Sequence, residues 1–140
     1  MASHRHLART CVMQAIFTHE FRGGSDAKKI LESNLREFAP KLKDGGFAEE
    51  LLDGILSKRN KILKIISENA PEWPVDKIAR IDRAILEIGV YEILFADDIP
   101  PVVAINESIE MAKYFGDTNS SKFINGVLSS VMNKNLKKKK

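Results

Sequence analysis

Ile81-Asp82-Arg83-Ala84-Ile85-Leu86-Glu87-Ile88-Gly89-Val90-Tyr91-Glu92-Ile93-Leu94-Phe95 is the stretch on which the fold turns. Its apolar residues Ile81, Ile85, Leu86, Ile88, Val90, Ile93, Leu94 and Phe95 point in nearly every direction around a helix. A surface helix carries one apolar stripe, whereas a helix that is apolar on all sides is surrounded by others. The stretch is therefore expected to be the central helix of an all-α domain.

The flanking segments supply the surrounding helices. Downstream, Pro100-Pro101 suits a helix start, and Val102, Ile105, Ile109 and Ala112 form an inner stripe up to Gly116. A last helix starts after Asp117-Thr118-Asn119-Ser120, any of which can cap it, and buries Phe123, Ile124, Val127, Leu128, Val131 and Met132. Upstream, Pro71-Glu72-Trp73-Pro74 is a stiff corner, since each proline fixes its own φ and disfavours helix in the residue before it. Before that corner, Phe47 to Ile66 keeps a helical period, which predicts one long helix bent near Gly54. Asp26 caps a helix with inner residues Ile30, Leu31, Leu35 and Phe38 that stops at Pro40. The first helix, about His6 to Phe21, faces inward with Leu7, Ala8, Cys11, Val12, Ala15 and Ile16 and ends at Gly23-Gly24. No segment alternates with period two, so the expectation is all-α, with about six or seven helices.

The chain of 140 residues is sized for one domain. Apolar residues make up 44% and charged residues 29%, as in ordinary globular proteins. The formal charge is +3, but Lys134 and Lys137 to Lys140 carry five positive charges, which leaves residues 1 to 133 at −2. Nucleic-acid binding would thus rest on a local patch and not on the overall charge. No apolar run is long enough to span a bilayer, and Met1 to His6 lacks the apolar stretch of a signal peptide. The single cysteine, Cys11, fits a reducing compartment, and the expected location is the cytoplasm.

Two residues stand apart from the helical stripes. Gly126, inside Ser120-Ser121-Lys122-Phe123-Ile124-Asn125-Gly126-Val127-Leu128, sits where glycine costs about 1 kcal/mol relative to alanine. Helical rotation groups it with Lys122, Asn125 and Ser129, away from the apolar face. Either Gly126 makes room for a neighbouring helix of the same domain, or it lets another backbone or a strand of nucleic acid approach. On the first helix, Phe17 falls nearly opposite the inner stripe, beside His6, Thr10 and Met13, with Arg9 nearer one edge. Either it packs under a loop or helix, or it offers a stacking surface to a base next to arginine.

Little in the sequence points to catalysis. There is no phosphate loop, paired-cysteine metal spacing or dinucleotide fingerprint. His4, His6 and His19 all lie in or beside the first helix, where two imidazoles and a distant cysteine make a poor metal set. Cys11 lies on the inner face and reads as a buried, inert thiol. Neither a cofactor nor a metal is expected, and the chain is not expected to be an enzyme.

The ordered motifs resemble the NusB family of transcription antitermination factors. They are Ala8-Arg9-x-Cys11-x-x-Gln14-Ala15-Ile16-Phe17, Asp82-Arg83-Ala84-Ile85-Leu86-x-Ile88-x-Val90-Tyr91-Glu92, Ile99-Pro100-Pro101-Val102-Val103-Ala104-Ile105-Asn106-Glu107, Ala112-Lys113-x-Phe115-Gly116, and Ser120-x-Lys122-Phe123-Ile124-Asn125-Gly126-Val127-Leu128. The resemblance implies a single domain over 1–140, built of two small helical bundles at about 1–74 and 75–140, with a short lysine tail at 137–140. It implies a factor that pairs with the ribosomal protein NusE, binds the boxA element of nascent ribosomal RNA transcripts, and helps RNA polymerase read through terminators within an antitermination complex.

Carried over by position, the RNA surface would comprise Arg5, Arg9, Gln14, Phe17, Asn119, Lys122, Asn125 and Gly126. The partner surface would comprise Asp82, Tyr91, Glu107 and Phe115. An acid at a helix start and aromatic residues in a core would account for Asp82, Tyr91 and Phe115 equally well. The chain departs from the family's pattern at His6 and Leu7, where arginine is frequent, at Phe17, where tyrosine is common, and at Ser121, which replaces a frequent histidine. Two alternatives accompany this reading. One is a relative of the NusB-like domain of ribosomal RNA cytosine methyltransferases, for which the chain leaves no room for a catalytic domain. The other is a helical protein-interaction module or homodimer that binds no RNA.

Overall fold

The computed structural model describes residues 4–22, 26–44 and 46–139, with side chains as far as 135. The expected Gly23-Gly24 stop and the side chains of the lysine tail lie outside the described residues. Among those residues the protein is all-α, with seven α-helices and one short 3-10 turn. The helices are α1 (His4–Phe21), α2 (Ala27–Phe38), α3 (Phe47–Ser57), α4 (Arg59–Asn69), α5 (Arg80–Phe95), α6 (Pro101–Phe115) and α7 (Ser120–Lys139).

The chain divides into two compact units, Met1–Ser57 and Lys58–Lys140. The division falls earlier than the boundary near residue 74 that the resemblance implied. The reason lies in the expected long helix, which breaks at Lys58 (φ −115°, ψ 15°) and not at Gly54. Its second part, α4, packs on α5 and α7 and so belongs with them.

In the first unit α1 packs against α2 and α3. Asp26 caps α2, its carboxylate accepting from the Lys28 and Lys29 amides at 3.0 and 3.3 Å. Asp44 does the same for α3, accepting from the Gly46 and Ala48 amides at 3.1 and 2.9 Å. Gly46 adopts φ +84°, the left-handed region that glycine enters without a Cβ clash.

The buried face of α1 is rotated from the expected one. Met13, expected outside, is fully buried, and Leu7, expected inside, is 41% exposed. The stripe that packs runs through Ala8, Val12, Ala15 and Ile16 with Met13 at its edge. Phe38, expected inside, is exposed in the last turn of α2, where it lines a cleft with His4, Leu7 and Pro40. Cys11 is buried as expected. Burial pushes its thiol pKa up, and the negative charge of Asp44 adds to the effect.

In the second unit α5 contacts α4, α6 and α7, the environment its all-round apolar pattern predicts. Gly89 lies at a close contact of α5 with α6 and α7, where a Cβ would stand 2.6 Å from Leu128 Cδ1 and 2.9 Å from Ser108 Oγ. Three acids of α5, Asp82, Glu87 and Glu92, are buried as well. Glu87 is held by Arg59, whose Nε donates to its Oε1 at 2.9 Å. On α6 the inner stripe is Ala104, Ile105, Ser108, Met111 and Ala112, and Val102, expected within it, is exposed in the first turn.

Candidate nucleic-acid interface

The candidate RNA residues fall on α1 in the first unit and on the start of α7 in the second. On α1, Arg5 and Arg9 converge on one ring. Their guanidinium carbons lie 4.7 and 5.1 Å from the centroid of Phe47, the first residue of α3. At these distances each cation is attracted to the ring face. Arg5 remains exposed, whereas Arg9 is only 3% accessible, more buried than its place on a helical wheel suggests.

Phe17 satisfies neither simple reading. It is half-buried and stacks on Phe21, one turn later, at 6.2 Å between centroids and 19° between planes. Phe21 itself is largely exposed. Gln14 is half-buried on the same helix.

On α7, Asn119, Lys122, Asn125 and Gly126 are all exposed. The helix start is built by local hydrogen bonds. The Asn119 amide donates to Asp117 Oδ1 at 2.9 Å, and the Asp117 amide donates to Ser120 Oγ at 2.9 Å. One turn on, Ser129 Oγ donates to Asn125 Oδ1 at 3.1 Å. A Cβ built on Gly126 would meet nothing within 4 Å, so among the described residues this glycine makes room for no neighbouring helix. That removes the packing explanation and leaves an open, side-chain-free spot between an amide and a lysine.

Of the candidate partner residues, Asp82 is the most buried. It is 8% exposed at the start of α5 and lines a cleft of about 400 Å³ with Trp73, Lys77, Asn119, Ser120 and Phe123. Burial raises its carboxyl pKa, a hydrogen bond with Ser120 lowers it, and the charge of Asp117 raises it. Tyr91 is half-buried against Phe95, with centroids 5.9 Å apart, and Phe115 against Tyr114 at 5.5 Å. Glu107 is half-buried on α6.

Two exposed aromatic residues were missed by the sequence reading. Tyr114 is 85% exposed beside Phe115, where adjacent aromatic residues in a helix cannot both face inward. Trp73 is 53% exposed on the proline corner. A tryptophan between two prolines has no helical face to join, and this was the signal available in the sequence. Among the described residues, no three His, Cys, Asp or Glu side chains group to hold a metal ion, and no helix is long and apolar enough to cross a membrane.

The family model described as the NusB family matches residues 6–133. The chain belongs to the NusB family. It is 40% identical over 129 residues to the transcription antitermination protein NusB of Bacillus pumilus, covering 92% of this chain and 95% of that one. To the protein of the same name from Bacillus subtilis it is 39% identical over 128 residues, covering 91% and 93%. Among solved structures, NusB of T. maritima superimposes with a TM-score of 0.86 at 34% identity, covering 96% of this chain and 94% of that one. A NusB solved with NusE and double-stranded RNA shares the fold at a TM-score of 0.85 and 24% identity, covering 96% and 99%.

Proposed function

We propose that this NusB-family chain is a transcription antitermination factor that binds a boxA-like single strand of nascent ribosomal RNA together with NusE. In that role it helps RNA polymerase read through terminators, as part of the polymerase antitermination complex. Its relatives carry that name, and a NusB of the same fold has been solved with NusE and double-stranded RNA. The observation that carries the reading is the exposed face of Lys122, Asn125 and Gly126, whose glycine packs against none of the described residues.

In this reading Arg5, Arg9, Gln14, Phe17 and Asn119 complete the RNA surface. Arg5 supplies the exposed charge on α1, and Arg9 keeps Phe47 and the start of α3 in place behind it. Asp82, Tyr91, Glu107 and Phe115 take the protein partner. The chain acts as one domain over 1–140, without catalysis, in the cytoplasm.

Fluorescence anisotropy of a boxA-like RNA and a scrambled control, with and without NusE, tests the proposal. Selective binding that tightens with NusE and weakens in Phe17→Ala and Lys122→Ala is expected. Equal, weak binding to both RNAs regardless of NusE would sink it and favour a homodimer or protein-interaction module.

A further inference from the structure

Gly126 poses a problem that the RNA-face reading leaves half answered. Glycine is less stable than alanine inside a helix, and here the space for a side chain is empty. The residue opens onto a cleft of about 300 Å³ between the start of α7 and the Pro71-Glu72-Trp73-Pro74 corner. Lys122, one turn before Gly126, stands on the same wall, and Trp73 and Pro71 stand on the other.

We infer that this cleft is a subsite for one unstacked RNA base, with Trp73 as its stacking wall and Gly126 as the gap that admits it. The inference rests on the RNA-binding reading above and adds a residue and a contact to it. Three features fit a base and its phosphate. Trp73 lines the cleft and is more than half exposed, so the residue is accessible to a ligand there. Its backbone is fixed, because prolines lie within two residues on either side and the Trp73 amide donates to the Ala70 carbonyl at 3.0 Å. A preset platform gives up little freedom on stacking. Charge then orients the strand, with Lys122 attracting phosphate and Glu72, on the Trp73 side, repelling it. The phosphate therefore runs along α7 and the base lies toward the indole. Since every base has a π-face, this subsite supplies affinity with little sequence preference.

Trp73 is the only tryptophan of the chain, so its emission reports directly on the cleft. The test titrates unlabelled boxA-like RNA into the full chain, following Trp73 emission, while anisotropy measures affinity for wild type, Trp73→Ala, Trp73→Phe and Gly126→Gln. Quenching at saturation is expected, with a loss of roughly 5- to 150-fold in affinity for Trp73→Ala and near-retention for Trp73→Phe. Gly126→Gln should melt no lower than wild type, because its side chain enters open space, yet bind RNA more weakly. RNA binding with unchanged Trp73 emission and a tight Trp73→Ala variant would overturn the subsite and leave the function standing. An absence of RNA binding by wild type would overturn both. Quenching by NusE alone, with weaker NusE binding by Trp73→Ala, would overturn it in favour of a protein contact.

Discussion

Single side chains in this protein are governed by what covers them. Arg9 and Arg5 sit four positions apart on one helix, yet one is buried on the Phe47 ring and the other exposed. A helical wheel does not separate those outcomes, because both side chains reach the same ring of α3 and still differ in exposure. Glu87 is the sharper case, fully buried with Arg59 as its charged partner. Arg59→Ala should cost about 3 kcal/mol or more in a denaturant titration, since it strands a buried carboxylate. Burial raises the Glu87 pKa above its ordinary 4.5, with the Arg59 charge and hydrogen bond opposing, and burial likewise raises Asp82 above 3.8. Between the ordinary and the raised value, the folded chain holds a proton that the unfolded chain has released. Stability should therefore fall as pH rises through that interval and stay lowest above it. Melting curves of Glu87→Gln should show a flatter pH dependence across the interval than wild type. Identical slopes would remove Glu87 from this account.

At the scale of helices, amphipathic period and punctuation were legible where the signal was local. The Asp26 cap, the Pro71–Pro74 corner, the proline start of α6 and the capping cluster before α7 all stand where the sequence places them. Asp26→Ala should lower stability by about 1 kcal/mol. The break at Lys58 was illegible because Ile55 and Ile62 stay in helical phase across it. Two helical glycines show what packing adds. At Gly89 a Cβ would press on Leu128, itself fully buried, so Gly89→Ala should destabilise by about 1–3 kcal/mol despite alanine's better propensity. At Gly126 nothing stands in the way, so Gly126→Ala should be neutral or stabilising by up to about 1 kcal/mol. Thermal melts that fall for Gly89→Ala and hold or rise for Gly126→Ala would check both assignments.

For the molecule as a whole, charge is local and its reading depends on salt. With residues 1 to 133 at −2, RNA affinity has to come from patches such as Lys122 and Arg5. Lys122→Ala should shallow the log–log salt dependence of binding by about 0.7, the value of one single-strand phosphate contact. An unchanged slope would mean that Lys122 touches no phosphate. Removal of Lys137 to Lys140 should weaken binding equally for boxA and scrambled RNA, and a selective loss on boxA would contradict a nonspecific role. The helical class, the central place of α5 and the family were legible in the amino-acid order, because these rest on periodicity, capping and ordered motifs within continuous stretches. The tertiary structure alone decided that Arg9 and Met13 are covered, that α4 joins the second unit, that Gly126 faces open space, and that Trp73 stands across a cleft from it. Each of those depends on which distant element lies against a residue, and local sequence carries no record of that.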